Sequence, residues 1–231
     1  MAHSIRAFLA GLCVAAVGMT VPANAGSVEV GAYLGVNDSF RSDVTLTQGA
    51  ARVRYDNLDF DGKTWTDAPY WGARATYWLD DGRRWGVGVD LTHATAVSDA
   101  SVTGADWRRL EFSDGLNTVL LTGFRQFRDS DDRLYPYVGV GVGLAVPWVE
   151  AISAAGSTSP VQSDTFELQL TGVAAQILGG GKWEFSNRGA LFLEYKLGYA
   201  MIKGDLTEGG SIETDILNNQ FLAGISYRFG K

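Results

Sequence analysis

Few residues in this chain can carry acid–base or metal chemistry. It has 2 His and 1 Cys in 231 residues, and His3 and Cys13 both lie at the extreme N-terminus. His93 is therefore the imidazole to consider, and Glu111, Asp114 and Asn117 follow it closely in sequence. One imidazole with two carboxylates resembles the donor sets that hold a transition metal with positions left open, and the same groups can also move protons unaided. We take His93, Glu111, Asp114 and Asn117 as catalytic candidates. His93, Glu111, Asp114 and Glu150 form the candidate metal quartet. Lys63, Arg74 and Lys203 are suited to charge-assisted contacts with phosphate or carboxylate, and Glu150 and Glu167 flank a long polar segment. No spacing rule singles these residues out, so a solvated surface role is the alternative for each.

The elements that must position them begin after residue 25. Met1 to Arg6 carries one positive charge, Ala7 to Met19 is uncharged and apolar, and Ala23-Asn24-Ala25 is a small-x-small site. This is the pattern of a secretory signal peptide cleaved near Ala25, leaving a mature chain, residues 26 to 231, with no cysteine. An exported chain without disulfides must be held together by other means. A hydrophobic fraction of 46% excludes disorder, and 29 Gly without a repeat exclude collagen and linker readings. The net charge of −7 and the scattered Lys and Arg argue against a nucleic-acid partner.

No apolar run after residue 25 reaches the roughly 18 residues of a membrane helix. Alternation replaces it. Val28, Val30, Ala32, Leu34 and Val36 interleave with Ser27, Glu29, Gly31, Tyr33 and Gly35. Similar strands are expected at 70–79, 85–92, 116–127, 137–146, 173–185, 190–201 and 220–229, with the facing of 116–127 undecided. Connections at 80–84, 128–134 and 186–189 are short, whereas those near 37–68, 95–113, 148–165 and 203–214 are long. Sorting of this kind is expected of an eight-stranded antiparallel transmembrane β-barrel, with short periplasmic turns and long extracellular loops. Lipid cannot hydrogen-bond a sheet edge, so the sheet must close.

The polar parity of these strands carries Glu29, Arg74, Asp90, Glu194, Lys196 and Arg228, three acids and three bases that can pair inside the lumen. An ion pathway is the functional alternative to a structural plug. Trp71, Tyr77, Trp78, Trp85, Trp148, Trp183, Tyr195 and Tyr199 suit interfacial girdles. His93 shares the parity of Val87, Val89 and Leu91, which would point it outward to lipid. Phe166, Leu168 and Leu170 run on even positions but Val173, Ala175 and Ile177 on odd ones, so a bulge or break is expected near Thr171-Gly172.

A family resemblance rests on blocks spread over most of the mature chain: Asp61-Gly62-Lys63 through Tyr77-Trp78; Asp90-Leu91-Thr92-His93-Ala94; Leu110 through Asn117; Pro136-Tyr137-Val138-Gly139 through Pro147-Trp148-Val149-Glu150; Phe166 through Gly172; Glu194-Tyr195-Lys196; and Thr214-Asp215-Ile216. In that order they resemble the lipid A oxidase family of Gram-negative outer-membrane barrels. The resemblance implies oxygen-dependent oxidation of the proximal glucosamine of lipid A to 2-aminogluconate at the extracellular rim. Oxygen would be the oxidant, with a divalent metal ion as a further candidate cofactor, and Lys63, Arg74 and Glu167 would meet the substrate. It also implies lipid A or lipopolysaccharide, the outer membrane and the barrel-assembly machinery as partners of a monomer. The terminal strand departs slightly from the usual pattern, since Gly230 and Lys231 follow Phe229. A non-enzymatic structural or adhesive barrel and a lipid A deacylase using Ser113 are the alternatives that the residues leave open.

Overall fold

The computed structural model describes residues 26–63, 69–129 and 131–230. The signal-peptide expectation at 1–25 and the segment 64–68 lie outside the described residues. Eight long strands close a ring. They are β1 (Ser27–Ser39), β5 (Tyr70–Trp78), β6 (Trp85–Ser98), β7 (Trp107–Gln126), β8 (Leu134–Ala145), β11 (Gly172–Glu184), β12 (Gly189–Leu206) and β13 (Gly210–Phe229). Each pairs antiparallel with the next in the ring, and β13 returns to β1 over Val28↔Phe229 to Ser39↔Asn218. Closure satisfies the backbone without water. No described helix is long and apolar enough to cross a membrane.

The expected strands are all present, but several run well past their expected ends. β7 starts at Trp107, β6 continues to Ser98, and β12 and β13 meet across a 3-10 turn at Thr207–Gly209. The long connections are largely strand as well. Between β1 and β5 lie β2 (Ser42–Gln48), β3 (Ala51–Leu58) and β4 (Phe60–Asp61), and between β8 and β11 lie β9 (Trp148–Ser153) and β10 (Asp164–Leu168). β2 pairs with β13, β4 with β6 and β9 with β7, so these pieces form a crown on the extracellular end of the ring. The expected break is found between β10 and β11, where Gly172 opens the new strand.

Within the ring the lumen is filled by ions. Arg74 bonds Asp90 at 2.7 Å and Glu194 at 2.8 Å, and Lys196 bonds Asp90 at 3.1 Å. Tyr33 and Tyr137 donate to Asp90 and Glu194, each at 2.6 Å, and Gln176 donates to Asp90 at 3.0 Å. Two charges of each sign, each carboxylate also hydrogen-bonded by a tyrosine, meet the condition under which buried ions are tolerated. Nearer the periplasmic end Glu29 pairs with Lys182 rather than with Arg228. Arg228 approaches Glu184, which also takes Arg83 at 2.6 Å and Arg128 at 2.8 Å. Trp78, expected in a girdle, is instead inside the lumen, donating to Glu29 at 3.2 Å. Two cavities of about 20 Å³ each flank the ion cluster, room for about one water apiece, so this is a plug and not a bore.

The crown has its own apolar core. Val44, Leu46, Leu58, Phe60, Ala96, Phe112, Val149, Ala151, Val161, Ile212 and Ile216 are all buried, and Trp107 and Leu110 join them. Below, on the outer wall, Leu34, Leu121, Val140, Val142, Ile177, Leu193 and Phe221 are exposed, as the lipid-facing belt of a barrel requires. The fourth strand's facing is now fixed, with Val119 and Leu121 outward and Leu120, Thr122 and Phe124 inward.

Candidate functional site

The site forms where β7 departs from regular pairing with β6. Ala94 faces Leu116 but Ala96 faces Phe112, so Ser113, Asp114 and Gly115 bulge opposite Thr95. Gly115 has φ +134°, which disfavours any side chain, and a Cβ there would stand 2.7 Å from the His93 ring and from Asn117 Nδ2. Glycine is therefore required for the bulge to close against His93. The distortion re-aims the residues around it, a recurrent use of bulges.

His93 faces outward, as its parity predicts. It stacks on Trp71 with ring centroids 5.3 Å apart, and its Nδ1 lies 2.9 Å from Asn117 Oδ1. Asn117 Nδ2 is directed to the Gly115 carbonyl at 3.4 Å, which turns Oδ1 toward the imidazole. With Oδ1 as acceptor, Nδ1 carries the proton and Nε2 is the basic nitrogen.

Glu150 lies across the bulge on β9, where it is registered opposite Glu111 on one side and Phe166 of β10 on the other. Directly opposed residues share a face, so Glu150, Glu111 and Phe166 all belong to the outer wall. Glu150 is nevertheless fully buried. Its Oε2 accepts from Arg109 at 2.6 Å, and its Oε1 accepts from Ser113 Oγ at 2.7 Å and from the Asp114 backbone N–H at 2.9 Å. Ser113 Oγ also approaches Glu111 Oε1 at 3.0 Å, and with a single proton it serves one carboxylate at a time. Arg109 stands 3.7 Å from Glu111. Hydrogen bonding to Glu150 holds Arg109 still more firmly protonated.

The structure thus brings His93 to Asn117, and Glu111 and Asp114 to Glu150, as two linked halves of one polar band on the outer wall. It does not bring His93, Glu111, Asp114 and Glu150 into one metal-binding group, and no group of three or more such donors is found among the described residues. Glu150 instead spends its two oxygens on Arg109, Ser113 and the Asp114 backbone N–H. Arg74, expected at the substrate, is locked in the lumen by Asp90 and Glu194. Lys203 pairs with Glu213 at 2.8 Å on the outside of the crown. Glu167 is exposed and accepts from Gln169, and the backbone N–H of Lys63 bonds Asp61 at 2.8 Å. Arg109 was missed by the sequence reading. No pattern marks it, because its role arises from the register shift between Trp107 and Arg109.

No protein-family model matches this chain, and no curated protein matches its sequence. Solved structures do match. The outer membrane protein OprG from Pseudomonas aeruginosa is similar at 14% identity, covering 90% of this chain and 97% of that one, with a TM-score of 0.53. Neisserial surface protein A matches at 14% identity over 88% of this chain and 97% of its own, with a TM-score of 0.47. The N-terminal β-barrel domain of Pseudomonas aeruginosa OprF matches at 15% identity over 88% and 97%, with a TM-score of 0.44. At 14% identity the likeness to OprG concerns architecture alone. Together with the closed ring and its apolar exterior, it establishes an eight-stranded antiparallel transmembrane β-barrel of the outer-membrane type.

Proposed function

We propose that this barrel is an outer-membrane enzyme that oxidises the proximal glucosamine of lipid A to 2-aminogluconate, with dioxygen as the oxidant. The observation that carries the reading is the polar band on the lipid-facing wall: His93, Asn117, Asp114, Glu111 and a fully buried Glu150, flanked by Trp71 and Phe166. Ionisable groups facing lipid are costly and are kept where they are used. The family resemblance of the surrounding blocks supplies the substrate class. Export, cleavage near Ala25 and assembly into the outer membrane belong to the same proposal.

The residues suit the chemistry as follows. His93 Nε2 takes the proton of the anomeric hydroxyl as the C1–H bond is oxidised. Two electrons and two protons pass from the lactol to dioxygen, giving a lactone and hydrogen peroxide. Water then opens the lactone to the aminogluconate, a net gain of one oxygen atom. Asn117 fixes the imidazole, and the Arg109–Glu150 pair fixes the bulge that carries Asp114. No group of three or more metal donors is found among the described residues, and no step here is assigned to a metal. Ser113 Oγ is turned to Glu111 and Glu150 instead of the His93 ring, which disfavours the deacylase alternative.

The test is mass spectrometry of lipid A from cells with and without the gene. A one-oxygen gain on the proximal sugar is expected, and His93→Ala should lower it by about 10²- to 10⁴-fold, the usual worth of a general base. Unchanged lipid A with an assembled barrel would instead favour the structural or adhesive reading.

A further inference from the structure

Outside the polar band, the outer wall carries a large hollow. A recess of about 740 Å³ opens where β12, β13 and β1 meet the start of β5, lined among others by Leu34, Gly35, Pro69, Tyr195, Phe221 and Ala223. Its floor is low because Ala223, registered opposite Leu34 on one side and Leu193 on the other, offers only a methyl group. Its walls stand high. Leu34 is 64% and Phe221 60% exposed, and the Tyr195 and Phe221 rings pack with centroids 4.8 Å apart. Tyr195 is held in place by donating to Asn219 at 2.6 Å.

The hollow adjoins the polar band. Leu34 is registered opposite Trp71, and Trp71 is registered opposite His93 and stacks on it. A single side chain therefore separates the recess from the imidazole.

We propose that this recess seats one acyl chain of a lipid A molecule whose proximal sugar stands at His93, a proposal that rests on the lipid A reading above. The wall faces acyl chains by virtue of the fold, and the hollow is continuous with that lipid-facing belt. Between two apolar surroundings there is no hydrophobic driving force, so selection must come from van der Waals fit to a shaped groove. A recess with a fixed aromatic wall supplies such a fit, whereas the convex belt at Val140, Val142 and Ile177 does not.

The test uses the full-length mature protein in lipid nanodiscs with a diazirine-bearing acyl chain on lipid A, and the same photoreactive chain on phosphatidylethanolamine as the second arm. Labelled peptides are mapped by mass spectrometry. The proposal expects lipid A label concentrated several-fold at 34–36, 193–195 and 221–223 over 138–142 and 175–177, with Ala223→Trp abolishing the excess. Even labelling around the belt, equal labelling by the phospholipid probe, or an excess that survives Ala223→Trp would each overturn it. Assembly is read from heat-dependent gel mobility, and Ala223→Leu replaces the Trp variant should that one not assemble. Cross-linking needs no turnover, so labelled recess peptides without a one-oxygen gain would defeat the oxidase reading and leave the recess standing.

Discussion

The two storeys of this barrel are built on opposite rules. At membrane height the buried ions and amides lie inside, beside aromatic and apolar side chains such as Phe124 and Phe192, and the outward face is apolar. In the crown the inward side chains are apolar and the outward ones charged. Single strands cross from one regime to the other without changing parity. On β12 the inward series runs Glu194 and Lys196, then Ala200, Ile202 and Leu206, while the outward series runs Leu191, Leu193 and Tyr199, then Lys203 and Asp205. On β13, rising toward the crown, Gln220 and Asn218 give way inside to Ile216 and Ile212, and Phe221 gives way outside to Asp215 and Glu213. Solvent and not the strand decides which face is greasy: lipid below, water above. The candidate site lies at the seam between the two storeys, where the bulge of β7 turns polar groups outward.

This contrast can be broken in several ways. The largest effect is expected from Arg74→Met, which strands Asp90 and Glu194 in the lumen and should cost about 3–5 kcal/mol in urea unfolding from vesicles. Adding Asp90→Asn to it leaves Glu194 with Lys196 and should recover most of the loss. Next, Leu193→Lys on the outer wall should cost about 2–4 kcal/mol, whereas Asp205→Lys, on the same face of the same strand but in the crown, should stay within about 0.5 kcal/mol. Equal costs would erase the two-storey distinction. Ile212→Ala should then cost about 2 kcal/mol, confined to the crown. Hydrogen exchange should quicken in β2 and β9 while the ring's exchange is unchanged.

The ring was legible in the sequence because alternation on a two-sided surface leaves a strong period-2 trace, as in Val138 to Val146 with its intervening glycines. The lumen was half legible. Parity placed Arg74, Asp90, Glu194 and Lys196 inside, but pairing depends on stagger between strands, which gave Glu29 to Lys182. The crown was read as loops because the apolar face changes sides along β12 and β13, so the alternation appears to stop where the strand continues. His93, Glu111, Asp114 and Asn117 were singled out, and His93 was correctly aimed. Their division into two halves, and the part played by Arg109, follow from a bulge that no single-strand pattern encodes.

The plugged lumen has a consequence for kinetics. With the bore filled by ions, the outward-facing band at His93 is reached from outside the barrel wall, beside the outer leaflet. Its effective concentration scale is then a mole fraction in a two-dimensional fluid. On the lipid A reading proposed above, diluting lipid A with inert lipid should slow its oxidation, while adding aqueous volume at fixed composition should not.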